Sequence, residues 1–252
     1  MQRLHMPTTP SFFKAPRYLF RKQNILRQVK TVPIKTFADV GCGAGELACT
    51  LAERGYKGIG IDFSDDALKV ANDIRKARKI PSKSITFKKG SLSALPKKSD
   101  LIICCEVLEH LDKDDEFLKD VRKYGDYFIF SVPARMKWFD RFDEKVGHFR
   151  RYEKHELIKK LELHGYTIKE FSSYGYPFIN LTRLIRKVMS GKVERQKNAE
   201  EMTKQSGINP IKTKYLQSLD IEPIIKSLNW ISLPFNRYNL SEGYVILCQK
   251  KK

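Results

Sequence analysis

Seven residues, Asp39-Val40-Gly41-Cys42-Gly43-Ala44-Gly45, constrain this chain more than any others. They follow a short apolar run, Thr36 to Val40, and precede Glu46 to Arg54, whose Leu47 and Leu51 share one helical face before a stop at Gly55. The reading is a buried strand, a glycine turn and a helix. Glycines there let the backbone turn tightly and approach a ligand closely. The spacing Gly-x-Gly-x-Gly differs from the Gly-x-Gly-x-x-Gly of nucleotide dehydrogenases. Asp62 closes a second strand, Lys57 to Asp62, where an acid can accept both hydroxyls of a ribose.

The alternation continues. Ser64 is placed to cap a helix from Asp65 to about Ala77, with Asp65 and Asp66 in its first turn. Strands are expected at Ser84–Lys89, Leu101–Val107 and Tyr127–Val132, with a helix at Asp114–Arg122. Further on come a helix at Glu153–Leu163, a strand at Tyr166–Ser172 and a last strand at Gly243–Gln249. This pattern predicts an α/β fold, Rossmann-like and doubly wound. Its sheet is seven-stranded and mostly parallel, with a helical insertion before the last strand. Residues 1–35 form a basic N-terminal arm or helix, 36–175 and 239–252 the main domain, and 176–238 a helical cap. Within the cap, Phe178–Met189 is amphipathic, Lys192–Lys214 is polar, and Leu216–Ile231 is helical in pattern.

With 252 residues and 41% hydrophobic content, the chain can bury a full core. No apolar run approaches the roughly 18 residues of a membrane span. The first ten residues lack a secretory apolar stretch, so a cytoplasmic protein is expected. Cys42, Cys49, Cys104, Cys105 and Cys248 show no metal spacing and read as reduced structural thiols. The net charge of +19 is uneven: residues 1–35 supply +8 and residues 176–215 supply +6. Such patches suit RNA, anionic membrane headgroups or a phosphorylated substrate, or are simply solvated faces. Nothing in the pattern sets an oligomeric state.

On the glycine loop and Asp62, the chain resembles the class I S-adenosylmethionine-dependent methyltransferases. The resemblance covers roughly residues 36–172 and the last strand. It implies that Asp39, Gly41, Gly43 and Gly45 surround the methionine part of the cofactor and that Asp62 binds the ribose. Gly90-Ser91-Leu92 stands where many members have Gly-Asp. Ser91 departs from that pattern, so adenine is expected against Ser91, Leu92 and the ring of Phe63.

A second constellation, Glu106-Val107-Leu108-Glu109-His110, ends the fourth strand, and Gly147-His148-Phe149-Arg150-Arg151-Tyr152 follows the fifth. If residues 106–110 formed one helical turn, Glu106, Glu109 and His110 would share a side, with His148 opposite. Two carboxylates and two imidazoles can hold a divalent metal such as Mg²⁺. The arrangement resembles the ubiquinone-pathway O-methyltransferases of the type 11 group, and also the small-RNA terminal 2′-O-methyltransferases. Similar Glu-Val-Leu-Glu-His runs in ordinary class I members serve structure instead.

Methyl transfer depends mainly on positioning, but a hydroxyl acceptor needs a base or a metal. His148 is the candidate base, with Glu106 beside it; Arg135, Arg150 and Arg151 are candidate substrate ligands. The resemblance favours O-methylation of a small-molecule or lipid-linked acceptor, with peripheral contact to an anionic membrane. RNA methylation on the basic arm is the alternative. A catalytically silent cofactor-binding protein is a lesser one.

Overall fold

The computed structural model describes residues 14–95, 98–189 and 220–251, and the side chains of 184–189 fall outside that description. The polar stretch Lys192–Lys214, the start of the Leu216–Ile231 pattern and residues 1–13 lie outside the described residues.

Seven strands form one sheet in the order β3-β2-β1-β4-β5-β7-β6. They are β1 (Thr36–Val40), β2 (Lys57–Asp62), β3 (Ile85–Lys89), β4 (Ser99–Cys105), β5 (Gly125–Pro133), β6 (Tyr166–Ser173) and β7 (Gly243–Lys250). Only β7 runs antiparallel to its neighbours, β5 and β6. In β4 the run Leu101-Ile102-Ile103-Cys104 is at most 1% exposed, as a strand covered on both faces requires. Alternate residues feed two cores. Phe37, Leu101, Ile103 and Ile129 pack with α1 (Pro16–Val29) and α2 (Glu46–Glu53). Ala38, Ile102, Cys104 and Phe128 pack with α4 (Asp114–Val121) and α6 (Lys154–Leu163). The third helix, α3 (Asp65–Ala77), starts at Ser64, whose hydroxyl accepts the Ala67 N–H. A short α5 (Arg141–Lys145) follows β5. All five cysteines are free thiols.

The N-terminal segment is folded into the protein. Pro16 opens α1, whose fixed φ suits a first helical position. Leu19, Phe20, Ile25, Leu26 and Val29 are buried against the sheet. Five of its cations are paired: Arg17 and Arg21 with Glu106, Lys22 with Glu46 and Glu222, Lys14 with Glu222, and Arg27 with Glu170. The described part of the basic segment thus has most of its cations matched by carboxylates from elsewhere in the chain.

Helix α7 (Phe178–Met189) and helix α8 (Glu222–Ser232) belong to the expected insertion. Helix α8 lies along α1: Ile225 is 5% exposed and the Asn24 amide donates to Asn229 Oδ1 at 3.0 Å. Among the described residues no helix is long and apolar enough to cross a membrane.

Candidate functional site

The strand order reverses between β1 and β4, and ligands of open α/β sheets bind outside the strand ends at such a point. There the loop after β1 meets the loop after β4. Gly41 has φ +71°, and a Cβ on it would stand 2.7 Å from Val107 Cγ2. Gly45 caps α2 with φ +67°, and a Cβ there would strike Ala71 and Phe87. Side chains at either position would close the cradle. Asp62 is 7% exposed; its carboxylate accepts the Gly43 N–H at 2.8 Å and the Ser64 N–H at 2.9 Å. Each oxygen keeps a lone pair for another donor. Phe63, the next residue, leaves a ring 46% exposed. Ser91 Oγ lies 3.2 Å from Ser93 Oγ at the end of β3. The cradle, the acid and the exposed ring suit an adenosyl ligand.

Asp39 is 3% exposed beneath this loop. Burial, then the charge of Asp62, pushes its carboxyl up to about 7, with Arg21 opposing. A carboxylate raised this way costs folding stability as pH rises from the ordinary value through about 7, and costs nothing at lower pH. Asp39→Asn should therefore raise the melting temperature at pH 8 and much less at pH 4. The ceiling is about 4 kcal/mol. The same variant should bind S-adenosylmethionine more weakly, since a cationic ligand loses its anionic neighbour. Paired thermal melts at the two pH values test this; equal melting temperatures at pH 8 would show that Asp39 carries no such burden.

Residues 106–110 do not form the single helical turn expected of them. Glu106 has φ +54°, and only Leu108–His110 make a 3-10 turn. Glu106 consequently turns toward α1. It pairs with Arg17 at 2.9 Å and Arg21 at 3.1 Å, and accepts the Ser131 hydroxyl at 2.8 Å. Burial would raise its pKa, but the two guanidinium charges and the hydroxyl outweigh it and hold the carboxyl below its usual range. Glu106 therefore stands apart from the expected metal ligands.

The other three come together. Glu109, His110 and His148 place one ligand atom each within 4.8 Å of one another. Glu109 is fully buried, and neither carboxylate oxygen has a hydrogen-bond partner. Burial, then the charge of Glu106, pushes its carboxyl well above the usual range. His148 Nδ1 lies 2.8 Å from Asp143 Oδ1, leaving Nε2 toward Glu109 at 3.9 Å. His110 Nδ1 is 3.2 Å from the Gly147 carbonyl. Burial, then His148, lowers the His110 pKa to about 4 and keeps its imidazole neutral. Both rings are thus held through Nδ1, as metal-ligating histidines are by their outer partners.

Asp143, which the sequence did not single out, organises this side. It caps α5 by accepting the Asp140 N–H, and takes His148 and Arg151 on its two oxygens. Burial alone would raise its pKa; the His148 hydrogen bond and the Arg151 charge hold it below. Two candidate substrate arginines are committed elsewhere. Arg151 is 4% exposed and bonded to Asp143 at 2.9 Å. Arg150 pairs with Asp114 at 3.0 Å and donates to the Asp112 carbonyl. Tyr152 also bonds Asp114 and anchors the segment before α6. Arg135 is different: it has no carboxylate partner among the described residues and lies over the ring of Trp138.

Residues 38–124 match the family model described as a methyltransferase domain. A ubiquinone biosynthesis O-methyltransferase of Nitrosomonas europaea is 42% identical over 109 residues, 40% of this chain and 45% of that protein. One from Pelagibacter ubique is 31% identical over 137 residues, 50% of this chain and 56% of that protein. The chain thus spans about half the length of the curated relatives it matches. Among solved structures, the methyltransferase domain of bacterial CtHen1 superposes with TM-score 0.52 at 25% identity. The match covers 64% of this chain and 91% of that one. The [4+2]-cyclase SpnF gives TM-score 0.59 at 17% identity over 97% of this chain and 87% of that one, a likeness of fold alone. Fold, loop and family match agree over one stretch: residues 38–124 match a methyltransferase domain.

Proposed function

We propose that the chain transfers a methyl group from S-adenosylmethionine to an oxygen of a small-molecule or lipid-linked acceptor, aided by a divalent ion. The observation that carries this reading is the buried Glu109 carboxylate, whose two unpartnered oxygens sit beside His110 and His148. Burial holds this carboxyl protonated, and a divalent cation bound beside the two imidazoles would displace its proton.

The cofactor would be held by the turn at Gly41, Gly43 and Gly45, with Asp39 beneath it, Asp62 on the ribose, and Phe63, Ser91 and Leu92 around the base. When bound, it supplies an electrophilic methyl on a sulfonium, which an acceptor oxygen takes in line as the carbon–sulfur bond breaks. Glu109, His110 and His148 would hold the metal, whose chemistry is to lower the pKa of an acceptor hydroxyl. Asp143 orients His148, and the His148 ring takes the hydroxyl proton in the alternative where it acts as base. Glu106, locked by Arg17 and Arg21, fixes the loop after β4 against the glycine turn.

The named relatives support an oxygen acceptor. Exposed Ile224, Trp230 and Ile231 on α8, beside Lys226, support one met at a membrane surface. RNA as acceptor loses its main support, because Lys14, Arg17, Arg21, Lys22 and Arg27 are paired with carboxylates. A silent binding protein would have no use for a buried carboxyl without hydrogen bonds beside two imidazoles.

The test is methyl transfer from labelled S-adenosylmethionine to a panel of catechols, free and prenylated in vesicles. Turnover should fall at least tenfold with a chelator and return with Mg²⁺ or another divalent ion. Undiminished turnover in excess chelator would return the three residues to structural roles and leave His148 as the base. No transfer to any oxygen would refute the proposal.

A further inference from the structure

The side chains around the sheet's C-terminal edge are mostly accounted for by partners. Arg17 and Arg21 go to Glu106, Arg150 to Asp114 and Arg151 to Asp143. Two arginines are not. Arg135 Cζ lies 4.4 Å from the centre of the Trp138 ring, and Arg183 Cζ lies 4.9 Å from the same ring. Neither has a carboxylate within ion-pair distance among the described residues. Arg183 Nε is buried with no hydrogen-bond partner, and Arg135 meets only neutral groups, Asn239 Oδ1 at 3.5 Å and the Tyr244 hydroxyl.

Two like charges on one indole repel each other and gain only modest cation–π attraction. The arrangement also carries strain, since Arg135 is a non-glycine residue at φ +63° and ψ 107°. Such strain persists where surrounding structure enforces it, and it clusters at ligand sites. Here the enforcement is visible. The Arg135 N–H donates to the Tyr152 carbonyl at 2.8 Å, and Ala134 bridges Tyr152. Arg183 rides on α7, which is tied back by the Asn180 amide to the Leu240 carbonyl at 2.8 Å.

The position is beside the chemistry. Arg135 comes two residues after the end of β5. Arg151 links the Ala134 carbonyl, at 3.4 Å, to Asp143, which holds His148. Arg183 reaches the same indole from the insertion.

We propose that Arg135, Arg183 and Trp138 form an anion subsite that binds a carboxylate or phosphate carried by the acceptor. Two guanidinium groups converge on the indole within 4.9 Å of the ring centre, and guanidinium forks recognise carboxylate and phosphate oxygens bidentately. This deepens the acceptor reading above and rests on it for its place beside His148.

Binding can be read without turnover. The chain has two tryptophans, Trp138 and Trp230. In a Trp230→Phe background, Trp138 is the sole tryptophan emitter. The probes are 3,4-dihydroxybenzoate, its uncharged methyl ester, and vesicles of phosphatidylglycerol or of phosphatidylcholine. The subsite predicts saturable quenching by the acid, at least tenfold tighter than the ester. Arg183→Gln and Arg135→Gln should each weaken it about tenfold or more, with Arg183→Lys in between because it keeps charge but loses the fork. Quenching by phosphatidylglycerol vesicles alone, with the same arginine dependence, would assign the anion to a lipid headgroup. Melting temperatures of the variants separate lost binding from lost folding. No saturable response to acid or anionic vesicles, or equal affinity in a well-folded Arg183→Gln, would overturn the subsite whether or not the protein methylates catechols. Conversely, intact anion binding without methyl transfer would refute the functional proposal and spare the subsite.

Discussion

Replacing His148 by alanine should lower the rate of methyl transfer by about 10²–10⁴, the usual range for removing a positioned proton acceptor. Cofactor affinity should stay within a few-fold of the parent. The ring reaches Glu109 only because Asp143 fixes Nδ1 at 2.8 Å. Either chemical role of His148, ligand or base, needs Nε2 free and pointed, so either predicts a deep loss. Asp143→Asn separates pointing from charge. It keeps the side chain's shape but offers His148 a weaker partner, and should cost less than His148→Ala. Metal binding, measured by calorimetry with Mn²⁺, splits the two roles: a ligand is needed for it, a base is not. A merely structural His148 would shift the melting temperature and leave the rate per folded molecule unchanged.

Asp62→Ala should weaken S-adenosylmethionine binding by on the order of 1–3 kcal/mol, roughly tenfold to a hundredfold. Two losses combine. Ribose hydroxyls would lose their acceptor, and the N–H groups of Gly43 and Ser64, bonded to Asp62 at 2.8 and 2.9 Å, would lose theirs. The first loss weakens contact with the ligand, and the second loosens the turn that cradles it. Asp62→Asn should be milder, because an amide oxygen can still accept from one of the two N–H groups. Unchanged affinity in the alanine variant would place the ribose elsewhere.

The main domain was legible in the sequence because its signals are local. Buried parallel strands are short apolar runs, and each is followed by a glycine turn or a capped helix. Thr36–Val40, Lys57–Asp62 and the helix from Asp65 to Ala77 stand where those patterns put them. The cofactor loop was legible for the same reason: close approach of backbone demands glycine, and Gly41 and Gly45 have no room for a side chain. What depended on distant partners was not. Glu106 looked like a metal ligand by helical spacing, but its positive φ breaks that spacing, and its partners come from 89 and 85 residues away, at Arg17 and Arg21. Arg151 looked free for substrate until Asp143 was seen to hold it. Residues 1–35 read as a basic arm or helix because charge shows in composition, whereas the carboxylates that pair with Lys14, Arg17, Arg21, Lys22 and Arg27 lie in other segments. A proline followed by Leu19, Phe20, Leu26 and Val29 was the available signal for a buried helix.

The central claim is that the loop Asp39–Gly45 with Asp62 holds S-adenosylmethionine, and titration calorimetry of the intact chain tests it most directly. One-to-one saturable binding with a dissociation constant of micromolar order is expected, and S-adenosylhomocysteine should compete for the same site. No saturable heat up to millimolar S-adenosylmethionine, in protein shown to be folded by its melting transition, would contradict it.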